Sequence, residues 1–181
     1  KKLFEFNQPI NELDEIHYNY IDLIDAYNVF TMPNSISNAL VGKFKNIKFY
    51  HYTFPLIYYH LNFIHSDKIH VGLTLYNDFI DIIAANKEQQ LLFNNTFDYQ
   101  GTEDILYYLL YVYKQLNIDP KINEILVSGI NPSESELFPK LKSYFKKVHT
   151  LRAPKEYTYS YTFRKDTIQH FTNLFRLNLC V

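Results

Sequence analysis

The residues of this sequence that could do chemistry are few, and their spacing completes no catalytic set. His51, His60, His65 and His70 fall close together, as the imidazoles of a zinc site can. His60 and His65, however, are five apart and do not share a helix face, and no cysteine or paired carboxylate completes a ligand set. Ser128 precedes Gly129 but lacks the G-x-S-x-G elbow that activates a serine, and four glycines in all form neither a P-loop nor a dinucleotide fingerprint. Asp78, beside Asn77, has the chemistry of a turn former, and Asp81 reads as an outward strand residue. The single cysteine, Cys180, has no partner for an internal disulfide, which fits a reducing compartment and the role of a small apolar residue. No residue is assigned to catalysis or to a metal on these grounds.

Composition narrows the partners. The chain has 181 residues, 47% of them apolar and 18% aromatic with no tryptophan, so low hydrophobicity does not make it disordered. Eighteen basic residues face nineteen acidic ones, and the densest cationic stretch, Lys140 to Lys147, lies along one predicted helix. Seventeen tyrosines could stack on bases, yet without a basic surface they read as packing, and no nucleic-acid partner is expected. The longest apolar stretch, from Ile105, falls far short of the roughly 20 residues that span a bilayer. Leu3, Phe4 and Phe6, interrupted by Glu5, do not make a signal-peptide core. Membrane insertion is therefore not expected, and the expected location is cytoplasmic.

The elements that must position any site follow from periodicity. From Lys68, Ile69, Val71, Leu73 and Leu75 alternate with His70, Gly72, Thr74 and Tyr76; Asn77 and Asp78 turn the chain into "FIDIIAA", and "NKEQQ" turns it again into "LLFNNTFDY". Three antiparallel strands are predicted. Thr102 as N-cap, Glu103 and Asp104 in the first turn, and Ile105, Leu106, Leu109, Leu110, Tyr113 and Leu116 at helical spacing predict a helix that Asp119 and Pro120 stop. "EILVSGI" reads as a strand covered on both faces. A helix with the stripe Leu137, Phe138, Leu141, Tyr144, Phe145 and Val148 follows it, with Ser133 and Glu136 at capping-box spacing and Pro139 requiring either that the regular helix start near it or that its first turn be distorted. A strand around His149 to Leu151 and a last helix from about Asp166 to Leu177 complete the chain.

The first third offers "IHYNYID" as a strand and then repeats part of that order. "YNVFTM" reads as a strand, "PNS" as a turn, Ile36, Leu40, Val41 and Phe44 as a helical stripe, "IKFYHYT" as a strand, and Pro55 opens an aromatic-rich helix to about Ile64. Two copies of strand, Pro/Asn/Ser turn, helix, strand and helix suggest a duplicated unit, with the first copy incomplete.

Three strands, helix, strand, helix, strand, helix resembles the ribonuclease-H-like unit, two of which make the actin-like ATPase fold. "FNNTFDYQGTEDILYYLLYVYKQL", "ILVSGINPSESELFPKLKSYFKKV", "HFTNLFRLNLCV" and, upstream, "HYNYIDLIDAYNVFTMP" resemble an uncharacterised bacterial family with an actin-like fold. The resemblance implies an α/β chain with mixed sheets flanked by helices. Residues 1–65 would be the remaining part of a first ribonuclease-H-like unit, and 66–181 the second.

It also says where a nucleotide would go. Actin-like ATPases carry an acidic residue and glycines in two strand-to-strand turns, because backbone N–H groups approach the phosphates and a carboxylate holds metal-bound water. The second such turn is expected at "KIHVGLTLYND", where His70, Val71 and Gly72 replace Asp, a variable residue and Gly. A neutral imidazole is a poor ligand for Mg²⁺, which prefers oxygen. The adenosine-contacting turn resembles "SGINPS", with Gly129 present and Ile130 in place of a second glycine. A ribonuclease-H-type nuclease needs clustered carboxylates on its first strand, and Ile69 to Tyr76 has none. The resemblance implies a fold and no activity of its own; the departures from the ATPase pattern lead to the expectation of a non-catalytic scaffold or interaction module with a protein partner and no cofactor. Its alternative is an ATP-binding protein or slow ATPase whose cleft wall would comprise His70, Gly72, Thr74, Gly129 and Asn131.

Overall fold

The computed structural model describes residues 10–62, 67–129, 135–162 and 165–179. The predicted capping box of Ser133, together with Ile130, Asn131, His65 and Cys180, lies outside them. The chain divides into two compact units, Lys1–Phe54 and Pro55–Val181.

In the first unit, β1 (Asp14–Ile21) and β2 (Ala26–Pro33) form a two-stranded antiparallel sheet in unbroken register from Asp14↔Pro33 to Ile21↔Ala26. The 3-10 turn Asp22–Ile24 joins them, and Asp25 adopts a left-handed φ of 46° that a short polar side chain tolerates. Helix α1 (Asn34–Lys43) starts directly after β2, so the expected "PNS" turn is absorbed into strand end and helix start. Its predicted stripe does not face a core: Ile36, Val41 and Phe44 are exposed and Ser37 is the buried residue.

"IKFYHYT" does not join a ladder. Instead the amide of Asn19, itself buried, donates to the Phe49 carbonyl at 2.8 Å and accepts from the His51 N–H at 2.8 Å. One side chain thus satisfies two backbone groups that a neighbouring strand would otherwise pair. His17 stacks on Phe30 at 5.6 Å and meets Phe49 edge-on at 5.1 Å, covering the same face of the sheet. Helix α2 (Thr53–Asn62) follows, and the division between units falls in its first turn.

The second unit is built on a five-stranded mixed sheet of order β5-β4-β3-β6-β7. The predicted meander is present: β3 (His70–Leu75), β4 (Phe79–Ala85) and β5 (Leu91–Asp98) pair antiparallel. Asn86 shapes the second turn by accepting from the N–H groups of Glu88 and Gln90. Helix α3 (Thr102–Gln115) crosses over to β6 (Glu124–Ser128), parallel to β3, and α4 (Leu137–Tyr144) crosses to β7 (Lys147–Thr150), parallel to β6.

The N-cap of α3 is Gly101 rather than Thr102, because the Asp104 carboxylate reaches back to the Gly101 and Gln100 N–H groups. Pro139 falls in the first turn of α4, where its missing N–H costs no helical bond. Val71, Leu73, Leu75, Ile80, Ile82, Ile125 and Val127 line one sheet face and pack against Ile105, Leu109 and Tyr113 of α3 and Leu137 and Leu141 of α4. The last predicted helix is divided at Phe171 into α5 (Lys165–His170) and α6 (Thr172–Arg176), followed by a 3-10 turn at Leu177–Leu179. Among the described residues no helix is long and apolar enough to cross a membrane.

Candidate functional site

The other face of the same sheet carries the polar side chains. Successive strand residues point to opposite faces, so His70, Gly72 and Thr74 share the side of β3 turned away from the α3 and α4 core. All three are buried. The turn between β3 and β4 is made by Tyr76 to Asp78, where the Tyr76 N–H donates to the Phe79 carbonyl at 3.0 Å. The turn thus falls within "KIHVGLTLYND" as expected, at its end, and His70 to Gly72 lie on the strand that leads into it, where the alternation runs unbroken to Leu75. Asp78 belongs to the turn, as its neighbourhood with Asn77 implied.

The middle of the face is filled from α2. A Cβ on Gly72 would lie 2.2 Å from Cε1 and 2.5 Å from Nε2 of His60, and 2.8 Å from Cγ2 of Ile83. The His60 ring therefore occupies the volume that a side chain at position 72 would take. It stacks on His70 with ring centres 5.4 Å apart and planes 16° from parallel.

Burial holds His60 well below the ordinary imidazole pKa, and the neighbouring His70 and Arg176 add to the effect. Burial likewise lowers His70 to about 4, opposed in part by the His60 backbone. Both rings are thus neutral at pH 7. Arg176, buried on α6, lays its guanidinium 3.8 Å from the centre of the Tyr59 ring, and its Nη2 donates to the Arg152 carbonyl at 2.8 Å.

Nearer the turn, pairing aligns one residue from each of four strands. Thr96 of β5 lies opposite Asp81 of β4, Asp81 opposite Thr74 of β3, and Thr74 opposite Ser128 of β6. Thr96 Oγ1 donates to Asp81 Oδ1 at 2.6 Å, and the Thr74 and Ser128 hydroxyls are 2.9 Å apart. Asp81 is only 1% exposed, which corrects its reading as an outward strand residue. Alternation put it on the face opposite Ile80 and Ile82; that this face is also covered is a tertiary fact.

Gly129, at the end of β6, has a φ of +83°, and a Cβ there would lie 2.0 Å from the Leu75 carbonyl oxygen. The glycine lets β6 leave the sheet past the backbone of β3. The structure therefore brings His70, Gly72 and Thr74 onto one face, with Gly129 beyond the end of the adjacent strand. Sequence reasoning missed His60, Asp81 and Arg176 as its partners. A lone charge in an apolar run was the available signal, in "FIDIIAA" and "LFRLNL". Among the described residues no group of three or more His, Cys, Asp or Glu side chains could hold a metal ion.

The comparisons bear on this arrangement. The family model "Protein of unknown function (DUF3822)" matches residues 1–148. Among solved structures, the chain is similar to a protein of Bacteroides thetaiotaomicron VPI-5482 with an actin-like ATPase fold and unknown function, at 28% identity and a TM-score of 0.74. The match covers 83% of this chain and 58% of that one, so the chain spans little more than half the length of that relative. A search of curated proteins finds no match.

Proposed function

The chain belongs to the DUF3822 family, and from that premise we propose that it is a non-catalytic relative of the actin-like ATPases that works as a scaffold or protein-interaction module. We read its two units as ribonuclease-H-like, the first represented only in part. The observation that carries the functional reading is the closure of both glycines that would admit a nucleotide. Gly72 is filled by the His60 ring, and the side of Gly129 where a Cβ would stand is taken by the Leu75 carbonyl. Glycines serve nucleotide sites by letting the ligand reach the backbone; here the chain's own atoms have taken that approach.

A second reading, nucleotide binding with slow hydrolysis, draws on one observation. Asp81 places a buried carboxylate beside Thr74, on the face that carries His70 and Gly72.

A thermal-shift scan with and without Mg-ATP and Mg-ADP separates the two. Ligand at 100 times its dissociation constant adds about 2.7 kcal/mol, which for a chain of this size raises the midpoint by roughly 5 to 10 °C. The interaction-module reading expects no rise at millimolar nucleotide; a rise of that size overturns it.

A further inference from the structure

The imidazole pair ties α2 to β3, and the two elements are not equally able to move. His60 and His70 are 1% and 2% exposed, and Nδ1 of His60 is buried without a hydrogen-bond partner. Buried polar nitrogens ordinarily have one. Here the ring instead fills the space above Gly72 and stacks on His70. That arrangement suits two neutral rings, because like charges with centres 5.4 Å apart repel strongly where water is excluded.

The groups around the pair give a proton no relief. From α6, the Arg176 guanidinium disfavours a charge on His60, as His70 does from β3. From α2 itself, Tyr59 meets the His60 ring edge-on at 6.1 Å, and its face is occupied by Arg176. From β4, Ile83 stands at the socket and Ala85 lies opposite His70; Asp81 is further along the strand, opposite Thr74, where it accepts from Thr96. From β6, Leu126 lies opposite Gly72, and Glu124 is engaged by Lys147 and His149.

A charge that is not matched in place is relieved by movement. β3 is held by ladders on both sides, to β4 and to β6. Helix α2 is held by side chains alone, the buried Leu56, Ile57 and Leu61 together with the His60 ring. We propose that α2 is an acid-released latch: protons taken up by the His60–His70 pair free the helix from the sheet while β3, β4 and β6 stay paired. Such a latch operates whether or not the chain binds a protein partner.

Burial depresses both imidazoles, so the latch is closed at pH 7 and opens as the pH falls below the ordinary histidine range. Release returns His70 from about 4 to its ordinary value of 6.5. By linkage, this group alone then shifts the balance between closed and released helix roughly 20-fold toward release between pH 7 and pH 5. His60 adds to that shift.

The test is amide hydrogen exchange of the isotope-labelled 181-residue protein, corrected for the intrinsic pH dependence of exchange and followed by NMR from pH 7 to pH 4. Protection of the α2 amides is expected to fall at least about tenfold more than that of β3, β4 and β6, as in local opening. The fall should track the Cε1–H titrations of His60 and His70. H70F and H60Q each remove the part of the pH response that their histidine supplies, and either can be read alone if the other does not fold. H149N, at an exposed histidine, leaves the response unchanged.

Three results overturn the proposal: loss of α2 and sheet protection at the same pH, retention of α2 protection down to pH 4, or a full response in the H60Q/H70F double variant. The wild-type profile decides the matter even if neither variant folds.

Discussion

The two faces of β3 are made by alternate residues of one six-residue strand, yet they are held in place by different physics. On one, Val71, Leu73 and Leu75 meet α3 and α4 in an apolar core where each side chain is replaceable by something of similar volume. On the other, His70 and Gly72 meet the His60 imidazole, and Thr74 lies in a row with one carboxylate and two further hydroxyls. Polar groups there must be desolvated and then satisfied, which leaves far less freedom of sequence. The first face stabilises by area removed from water; the second fixes which groups lie against one another.

The largest test of that difference is L73A on the apolar face. Removing a fully buried leucine is expected to cost about 2 to 5 kcal/mol in urea unfolding, while L73M costs under about 1.5 kcal/mol. G129A comes next, at about 3 kcal/mol, because strained φ and a backbone collision act together; unfolding of the purified variant checks it.

On the polar face D81N is expected to cost about 1 to 3 kcal/mol. It leaves the volume almost unchanged but puts an amide, whose own N–H groups need partners, where a carboxyl oxygen accepts the Thr96 hydroxyl. If D81N were harmless, the polar row would not be specific and the contrast between faces would fail.

The smallest effect is the pH dependence. The folded-state pKa values of His60 and His70 are depressed, so below about 6.5 the unfolded chain binds more protons than the folded one and stability falls. For His70 that loss runs from about 6.5 down to its folded value of about 4. Denaturation midpoints measured between pH 7 and pH 4 should fall, and H70F should flatten the slope.

How much of this could be read in the sequence depended on whether a period was enough. The meander from His70 to Asp98 was legible because alternation and turn residues agree, and α3 and β6 because a long stripe and a short apolar run leave little choice. Pro139 correctly marked the first turn of its helix. Periodicity failed wherever the answer lay in what covers a face. It gave α1 an apolar stripe that meets solvent, and it left Asp81 pointing away from the core without saying that other atoms bury it.

Nor could it show that "IKFYHYT" would be held by the Asn19 amide instead of by a strand, since that partner lies about thirty residues upstream. That His70, Gly72 and Thr74 share one face of β3 was legible from alternation. Its closure by His60 was not, because a glycine records the need for space and not what fills it.

That closure makes positions 60 and 72 share one volume. The hole at Gly72 admits the ring at position 60, and the neighbours along the strand, His70 and Thr74, offer no equivalent hole one step away in either direction. Helix α2 is therefore keyed to the sheet by shape as well as by the His60–His70 stack, like a peg in a single socket. A larger residue at 72 needs a smaller one at 60 and a shift of the Ile83 side chain, whose Cγ2 stands 2.8 Å from the same Cβ position, so drift at position 72 would be expected to appear as exchange of volume with these neighbours. The pairing of G72A with H60A makes that exchange in the laboratory.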